Sequence, residues 1–339
     1  MRMGAENEPP SLIERLALGV VALGLGGILV SMSSVIPAAA APSVEAKIAF
    51  VRDQGGASHI FVMNQDGTKP TDVSKGEGAS PAWSADGSKL AFTSSRATVD
   101  RPQVYVMSAD GSHQARLTHD AMHDTNRSWS PDGTKIVFEG EDGIFVLTLR
   151  TKAVSRLTKD NDAEPAWSPD GATIVFDRTR DVPSSTSTTG MDQISDLWTM
   201  AADGSQPKQL TSPPVSFSGP TTTILGKDAF PTWSHDGTRI AFESNRDNNN
   251  GIFEMNADGS NIIAVTHPQG IDVFPSWSPD GTKIAFTRTG EPVLSATDQI
   301  YSVSIDGSNP TALTSSAAGA TRPAWQPKNG VRARARPTR

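Results

Sequence analysis

The sequence predicts an all-β protein, a six-bladed β-propeller of four-stranded antiparallel blades closed by the C-terminal strand joining the first blade. Three observations predict this fold. A hairpin-like unit recurs along the chain, and two further strand patterns follow each copy. In addition, the two ends of the array each hold the part of a repeat that the other lacks.

The repeated unit is clearest at residues 274–286, FPSWSPDGTKIAF. Ser278 and Pro279 suit the first two positions of a type I turn, and Gly281 takes the position where a positive φ is favoured. The segments on either side hold the aromatic and β-branched residues that are typical of strands. We therefore predict a sharply turned β-hairpin here and in the four further full copies at residues 80–92, 126–138, 164–176 and 230–242.

A third and a fourth strand follow each hairpin. The third is apolar and ends in Asp-Gly, as in VYVMSADG and IFEMNADG, except in the one copy that reads IFVLTLRT. The fourth is short and ends in Leu-Thr or Val-Thr, as in ARLT and IAVT. Each repeat therefore supplies the four strands of one propeller blade.

The ends of the array predict how the ring closes. KIAF at residues 47–50 begins a repeat that lacks its tryptophan strand, whereas RPAWQP at residues 322–327 is a tryptophan strand without a repeat. We predict that the C-terminal strand completes the first sheet, which removes the exposed strand edges of an open array.

Composition excludes several kinds of chemistry. The 339 residues include no cysteine, so disulfide, zinc–thiolate and thiol chemistry are absent. The net charge of −7 argues against nucleic-acid binding, which depends on basic residues that neutralise phosphates. There is no G-x-S-x-G nucleophile elbow in the sequence, and we expect no hydrolase domain after the propeller. We expect a monomer with no catalytic residues and no bound cofactor.

The segment before the first blade predicts export. Residues 16–36 carry no charge, and Ala38 and Ala40 occupy the small-residue positions of a signal-peptide cleavage site. The same run is long enough to be a retained membrane anchor, and both alternatives place the protein outside the cytoplasm. We assign residues 1–41 to this segment, 42–327 to the propeller and 328–339 to a basic disordered tail.

The WSPDG, IAF, DG and LT pattern resembles the WD-like repeat of the TolB-type β-propellers over residues 47–327. The resemblance implies a non-catalytic module that binds a protein or another ligand at the cell envelope, in the periplasm or as a secreted protein. TolB-type proteins carry a separate α/β domain ahead of the propeller. Here we expect the propeller without that domain.

Loop lengths indicate which face binds the partner. If the strands of a blade are lettered A to D outward from the channel, all long connections join B to C or D to A, and these open on one face. The longest are residues 177–196 and 212–228, whose Ser, Thr, Gly and Pro content predicts polar segments without added secondary structure.

Charged residues recur on this face and are the candidate binding residues. Aspartate occurs five residues before the repeated tryptophan, and arginine occurs two or four residues after the repeated phenylalanine. Two interpretations stay open. The aspartates form Asp–Arg pairs or cap the backbone and thereby fix neighbouring blades, or they converge on the channel mouth and bind a ligand or a divalent cation. The residues are Asp124, Asp162, Asp228, Asp272, Arg96, Arg180 and Arg246, with Arg52, Arg178 and Arg288 at the second arginine position.

An enzymatic alternative rests on histidines. His119 and His123 lie with Asp124 in THDAMHD, and His267 lies at the place that matches His119. Some propeller lyases resemble this repeat and use histidine and a metal at the channel mouth, so the resemblance implies a lyase or hydrolase as the alternative function. The repeated tryptophans, by contrast, are predicted to pack between blades and not to bind a ligand.

Overall fold

A computed structural model describes most of the repeat region, and its strands belong to one compact unit, Val44–Arg339. The predicted signal or anchor segment and the basic tail from residue 329 lie outside the described residues. The described ranges are 45–97, 101–119, 125–183, 191–213, 216–218, 223–247, 250–267, 270–290, 298–315 and 319–328. Within these ranges, no helix has the length and hydrophobicity needed to cross a membrane.

The strands form six four-stranded antiparallel sheets, which are the blades. Blades 1 to 3 contain β1 (Lys47–Gln54), β2 (Ala57–Asn64), β3 (Thr71–Asp72), β4 (Ala79–Trp83), β5 (Lys89–Ser94), β6 (Gln103–Ser108), β7 (Ala115–Arg116), β8 (Thr125–Trp129), β9 (Lys135–Gly140), β10 (Gly143–Thr148) and β11 (Ala153–Arg156). Blades 4 to 6 contain β12 (Asp162–Trp167), β13 (Thr173–Pro183), β14 (Met191–Ala201), β15 (Lys208–Gln209), β18 (Asp228–Trp233), β19 (Arg239–Ser244), β20 (Gly251–Asn256), β21 (Ile263–Ala264), β22 (Ile271–Trp277), β23 (Lys283–Thr289), β24 (Gln299–Ser304) and β25 (Thr311–Ala312). A separate hairpin joins β16 (Ser216–Ser218) to β17 (Thr223–Leu225), and β26 (Thr321–Trp325) is the last strand.

The last strand closes the ring. β26 is the A strand of blade 1, in the order β26-β1-β2-β3, and pairs Trp325 with Ile48. The indole N–H of Trp83 in blade 2 donates to the carbonyl of Ala324 over 3.0 Å. The predicted six-bladed fold and its closure by the C-terminal strand are therefore confirmed.

The tryptophans pack between blades, as predicted. Five of the six are between 1% and 8% exposed: Trp83, Trp129, Trp167, Trp277 and Trp325. The indole of Trp129 donates to the carbonyl of Ala82 over 3.1 Å, and that of Trp277 donates to Thr232 over 3.2 Å, each in the preceding blade. One residue type thus fills the gap between sheets and satisfies a backbone carbonyl there.

The Asp-Gly turns between C and D strands pack against the preceding blade. Gly111 has a φ of 83°, and a Cβ built there would overlap the carbonyl of Val73 in blade 1. Gly67 of blade 1 approaches the carbonyl of Leu313 in blade 6 in the same way. The same contact is therefore made where the ring closes. Glycine is required at these turns because both the positive φ and the close approach exclude a side chain.

The long insertions hold added strands, so the prediction that they lack secondary structure is wrong. β13 and β14 are 11 residues each and stay paired out to Pro183 and Met191. The second insertion contains the β16–β17 hairpin. The buried part of the blade sets the strand register, and successive pairs extend it outward, although the local composition alone favours a loop.

Candidate binding site at the loop-rich face

The six A strands surround a central channel with a cavity of about 1010 Å³. The A–B and C–D turns lie on one face, the short-turn face, and the B–C and D–A connections lie on the other, the loop-rich face. The cavity reaches from A–B turn residues such as Pro131 and Pro169 to side chains near the start of each A strand. The channel end nearest the loop-rich face is where the blades differ most in sequence.

A ring of six side chains of five residue types lies at that end, three residues before each tryptophan. All six residues have positive φ, between 31° and 56°. Left-handed backbone is costly for bulky residues, so the bulge that interrupts A–B pairing at this point holds them there. The ring residues are Ser80, Asn126, Glu164, Phe230, Phe274 and Arg322.

The ring side chains contact one another across the channel. Arg322 Nη1 donates to Asn126 Oδ1 over 2.9 Å, and Asn126 Nδ2 donates to Glu164 Oε1 over 2.7 Å. The Arg322 guanidinium carbon lies 4.1 Å from the Phe274 ring centroid, and Phe274 meets Phe230 edge to face with centroids 4.6 Å apart. These contacts connect five blades and narrow the channel.

Four carboxylates lie beside the ring in blades 3 to 5. Glu139, Asp177 and Glu243 each follow the repeated phenylalanine of their blade, and Glu164 belongs to the ring. Asp177 is 5% exposed and Glu243 is 2% exposed. Asp177 Oδ2 accepts from the Ser195 hydroxyl over 3.2 Å, which leaves this carboxylate with one weak side-chain donor.

Burial and mutual repulsion raise the pKa values of this cluster. Burial, with the charge of Glu139 next in size, raises the pKa of Asp177 to about 7. The same two causes raise the pKa of Glu164 well above its ordinary value. Burial also raises the pKa of Glu243, although Lys227 Nζ lies 2.7 Å from its Oε1. The fully ionised form of the cluster is therefore disfavoured, because its nearby cations do not offset burial and mutual repulsion.

A second cavity, of about 400 Å³, lies between blades 4 and 5 on the loop-rich face. Asp177, Ser195 and Lys227 line it, and it shares Glu164 and Phe230 with the channel. The two shared ring residues separate the cavity from the channel, so the acidic cluster faces a space large enough for part of a ligand.

Comparisons with known proteins agree with the propeller fold. A family model described as the TolB beta propeller domain matches residues 29–140 and 216–333. The chain belongs to the TolB β-propeller family. The Tol-Pal system protein TolB of Desulfosudis oleivorans is 30% identical over 121 residues, which are 34% of this chain and 27% of that protein. The chain therefore matches about a quarter of the length of this TolB relative.

Two further similarities are informative. TolB from Acinetobacter baumannii superposes with a TM-score of 0.67 at 22% identity, over 84% of this chain and 67% of that one. This likeness shows the propeller fold. The uncharacterized peptidase YuxL of Bacillus subtilis is 35% identical over 78 residues, which are 23% of this chain and 12% of that protein.

Three of the predicted aspartates in this TolB-family propeller form buried ion pairs. Both carboxylate oxygens of Asp272 accept from Arg288 over 2.7 Å. Asp162 is paired in the same bidentate way with Arg178, and Asp228 accepts from Arg246. These three aspartates form Asp–Arg pairs, and each pair joins the A and B sides of one blade and does not connect neighbouring blades.

The predicted arginines cover aromatic pairs at the loop end of the blades. The Arg246 guanidinium lies 5.4 Å from the ring centroids of Phe242 and Phe253, and Arg96 lies 5.3 Å from those of Phe92 and Tyr105. Arg52, Arg178 and Arg288 do the same in their blades. Arg180 instead pairs with buried Asp196 over 2.6 Å. These contacts give the arginines a structural role.

The histidines are not brought together. His119 and His267 are exposed and follow the D strands of blades 2 and 5, which lie on opposite sides of the ring. His123 and Asp124 lie outside the described residues. Among the described residues, no group of three histidine or acidic side chains is arranged to hold a metal ion.

Sequence reasoning missed both the ring and the acidic cluster. A usable signal was present, because the position three before each tryptophan differs in every blade but 5 and 6, inside an otherwise repeated unit. The position after the repeated phenylalanine is acidic in three consecutive blades and uncharged in the others. Variation at single positions of an otherwise repeated unit therefore indicates the end of the channel at which the blades differ.

Replacing Asp177 with Asn is expected to stabilise the protein in a pH-dependent way. The folded-state pKa of about 7 exceeds the unfolded value, so the aspartate's contribution is fully present below about pH 4 and is lost as the pH rises to about 7. The gain should therefore be about 1 kcal/mol at about pH 4.5 and reach up to about 4 kcal/mol at about pH 8. Urea unfolding at both pH values measures it.

The exposed Asp181 on the same strand provides the control for this measurement. Asp181→Asn should change the free energy of unfolding by less than about 0.5 kcal/mol at either pH. Equal stability of the wild type and Asp177→Asn at about pH 8 would contradict this prediction. It would show that other groups of the folded protein offset the cost of burying the ionised Asp177 carboxylate.

Proposed function

We propose that this chain is a non-catalytic, exported propeller that binds a protein of the cell envelope through its loop-rich face at blades 4 and 5. The observation that carries this proposal is the contrast between the two faces. One face is nearly identical from blade to blade, and among the described residues the other carries added strands at blade 4 and in its connection to blade 5. A specific partner needs a surface that distinguishes the blades.

The short-turn face is uniform. In five A–B turns the serine hydroxyl donates to the aspartate two residues later over 2.6–2.7 Å, and the same aspartate accepts from a backbone N–H. The turns differ mainly at their second residue, which is Ala85, Pro131, Pro169, His235 or Pro279. The serine, aspartate and backbone N–H groups therefore find their hydrogen-bond partners within the turns.

The loop-rich face is asymmetric. The β13–β14 hairpin extends beyond the blade, and Met191 at its end is 43% exposed. The 400 Å³ cavity opens beside it, lined by Thr179 and Gln193 of the hairpin and by Lys227 of the next connection. A protruding strand pair next to a concave site is an arrangement suited to a protein partner.

The comparisons support a binding role. The relative from Desulfosudis oleivorans is named as a protein of the Tol-Pal system, and the family that includes it is the one to which this chain belongs. The match to the peptidase covers only 12% of that protein, so it supports no peptidase activity here. The uncharged segment at residues 16–36 supports export.

Shortening the extended hairpin tests the proposal. Asp181 and Gln193 are paired neighbours, so replacing residues 182–192 with Asn-Gly gives a two-residue turn and keeps the Arg180–Asp196 pair. A photo-crosslinking residue at Gln193 should label one envelope protein in cells, and the shortened hairpin should lower the crosslinked yield about tenfold or more with little change in melting temperature.

Two controls separate this face from the rest of the surface. A crosslinker at Lys152, in the turn between β10 and β11 on the short-turn face, should not label that protein. Replacing residues 291–296, which connect β23 to β24 in the sequence, with Gly-Ser should leave the yield unchanged. Labelling from Lys152 in place of Gln193, or full yield with the shortened hairpin, would contradict the proposal.

A further inference from the structure

We propose that the cavity between blades 4 and 5 binds the ammonium group of a lysine side chain. This inference rests on the proposed function, because the lysine would belong to the protein partner. It specifies what the loop-rich face recognises, namely a primary ammonium on an aliphatic stem. Four observations on the cavity and the acidic cluster support it.

The first observation is charge. The cations that act most strongly on Glu164, Asp177 and Glu243 are Lys227 and Arg322. Lys227 is paired with Glu243, and Arg322 reaches Asn126 and Phe274. Uncompensated buried negative charge is unfavourable, so the cluster favours an additional cation or added protons.

The second observation is a set of unsatisfied acceptors. Asp177 Oδ1 and Glu243 Oε2 are buried and have no hydrogen-bond partner among the described residues. Asp177 lines the cavity and is only 5% exposed, so more than nine-tenths of it is buried. An ionised carboxylate only accepts hydrogen bonds, so a ligand that satisfies Asp177 must bring N–H or O–H donors. An ammonium group brings three.

The third observation is the cavity wall. Ala163, Ile194 and Ala229 line the cavity together with the polar groups, and apolar walls suit the methylenes of a lysine stem. The ring of Phe230 also lines it and already lies 5.4 Å from Lys227 Nζ, so an aromatic face for a cation is present.

The fourth observation separates an ammonium from a metal ion. A divalent metal requires several oxygen ligands around one point, and the described residues contain no such group of three. The volume of about 400 Å³ also exceeds what a bare ion fills. A flexible ammonium needs only one strong acceptor with polar and aromatic neighbours, which this cavity offers.

Binding should depend on pH, because a bound cation favours the ionised form of Asp177. The charged groups that face Asp177 are Glu139 and Glu243 on the neighbouring B strands, Glu164 on the A strand of its own blade and Lys227 on the next connection. An alkylammonium stays charged across this range, so binding should be about tenfold weaker at about pH 5.5 than at about pH 8.5.

The test uses n-butylammonium as the probe on the whole chain. Titration followed by the backbone amide NMR signals of Ser195 and Lys227 should give a dissociation constant on the order of 1 mM at about pH 8.5. Asp177→Asn should weaken binding about tenfold or more, because the neutral amide no longer provides a charge-assisted acceptor. Asp181→Asn, outside the cavity, should leave the dissociation constant unchanged.

Three further probes define the specificity. Butan-1-ol should bind at least about tenfold more weakly than n-butylammonium, because it lacks the charge. Nα-acetyl-lysine methylamide should bind more tightly than 1,5-diaminopentane. Equal binding of the alcohol, an unchanged affinity in Asp177→Asn, tighter binding of the diamine, or Ca²⁺ binding that Asp177→Asn removes would each overturn the lysine assignment.

The outcomes of this experiment distinguish a wrong ammonium site from a wrong proposed function. If n-butylammonium does not bind while Gln193 still crosslinks a partner, the proposed ammonium site is wrong, and partner binding through the loop-rich face remains supported. If n-butylammonium binds through Asp177 while no partner is labelled from Gln193, the ammonium chemistry stands and the protein partner is wrong.

Discussion

Removal of residues 320–339 is expected to abolish cooperative folding of the propeller. β26 is the A strand of blade 1 and also contacts blades 2 and 6. Its loss leaves the edge of β1 unpaired and removes Trp325, which is 6% exposed, from the core. Burial of one large aromatic side chain contributes about 3 kcal/mol, and ring closure adds the contacts of two blade interfaces.

The hydrogen bonds lost with β26 add to this cost. Ala324 no longer accepts from the Trp83 indole, and the hydroxyls of Ser276 and Thr287 no longer accept from backbone N–H groups of β26. Buried polar groups without partners are unfavourable. The total exceeds about 5 kcal/mol, which is the whole stability of many domains.

Urea unfolding followed by circular dichroism, together with size-exclusion chromatography, measures this effect. The truncated chain should show no cooperative transition and an enlarged or aggregated species. A chain that lacks only residues 329–339 is the control and should unfold like the wild type. A truncated chain whose urea midpoint stays within about 0.5 M of the control would show that the ring does not depend on β26.

The fold could be predicted because propeller packing repeats in the sequence. Each blade needs an aromatic residue between sheets and glycine where turns approach the preceding blade, so residues such as Trp129 and Gly111 recur at a fixed period. The missing strand at one end and the extra strand near Trp325 then determined the closure. The repeat period reveals the fold because each of these contacts occurs once in every blade.

The site could not be predicted in the same way. Asp162 and Asp228 recur at one position, which suggested a converging ring, yet each pairs with an arginine of its own blade. Glu139, Asp177 and Glu243 occupy a position that is not acidic in the other blades, and their proximity depends on the curvature of the ring. A repeat pattern does not encode distances across a channel.

Replacing Asp272 with Ala is expected to destabilise the protein by about 3 kcal/mol. Asp272 is completely buried, and both of its oxygens accept from Arg288 over 2.7 Å. Removing one partner of a buried ion pair leaves the other without compensation. Arg288 is 30% exposed and lies 4.7 Å from the Tyr301 ring centroid, so partial access to water keeps the cost below that of a fully buried charge.

A double-mutant cycle with Arg288→Leu separates the pair from the side chains themselves. Asp272→Ala/Arg288→Leu should recover about 1 kcal/mol or more relative to the sum of the single changes, because neither charge is then left unpaired. The exposed pair of Asp142 and Arg156, at 2.8 Å, is the matched control, and Asp142→Ala should cost less than about 1 kcal/mol. Additive effects at Asp272 and Arg288 would mean that the two side chains stabilise blade 6 independently of their pairing.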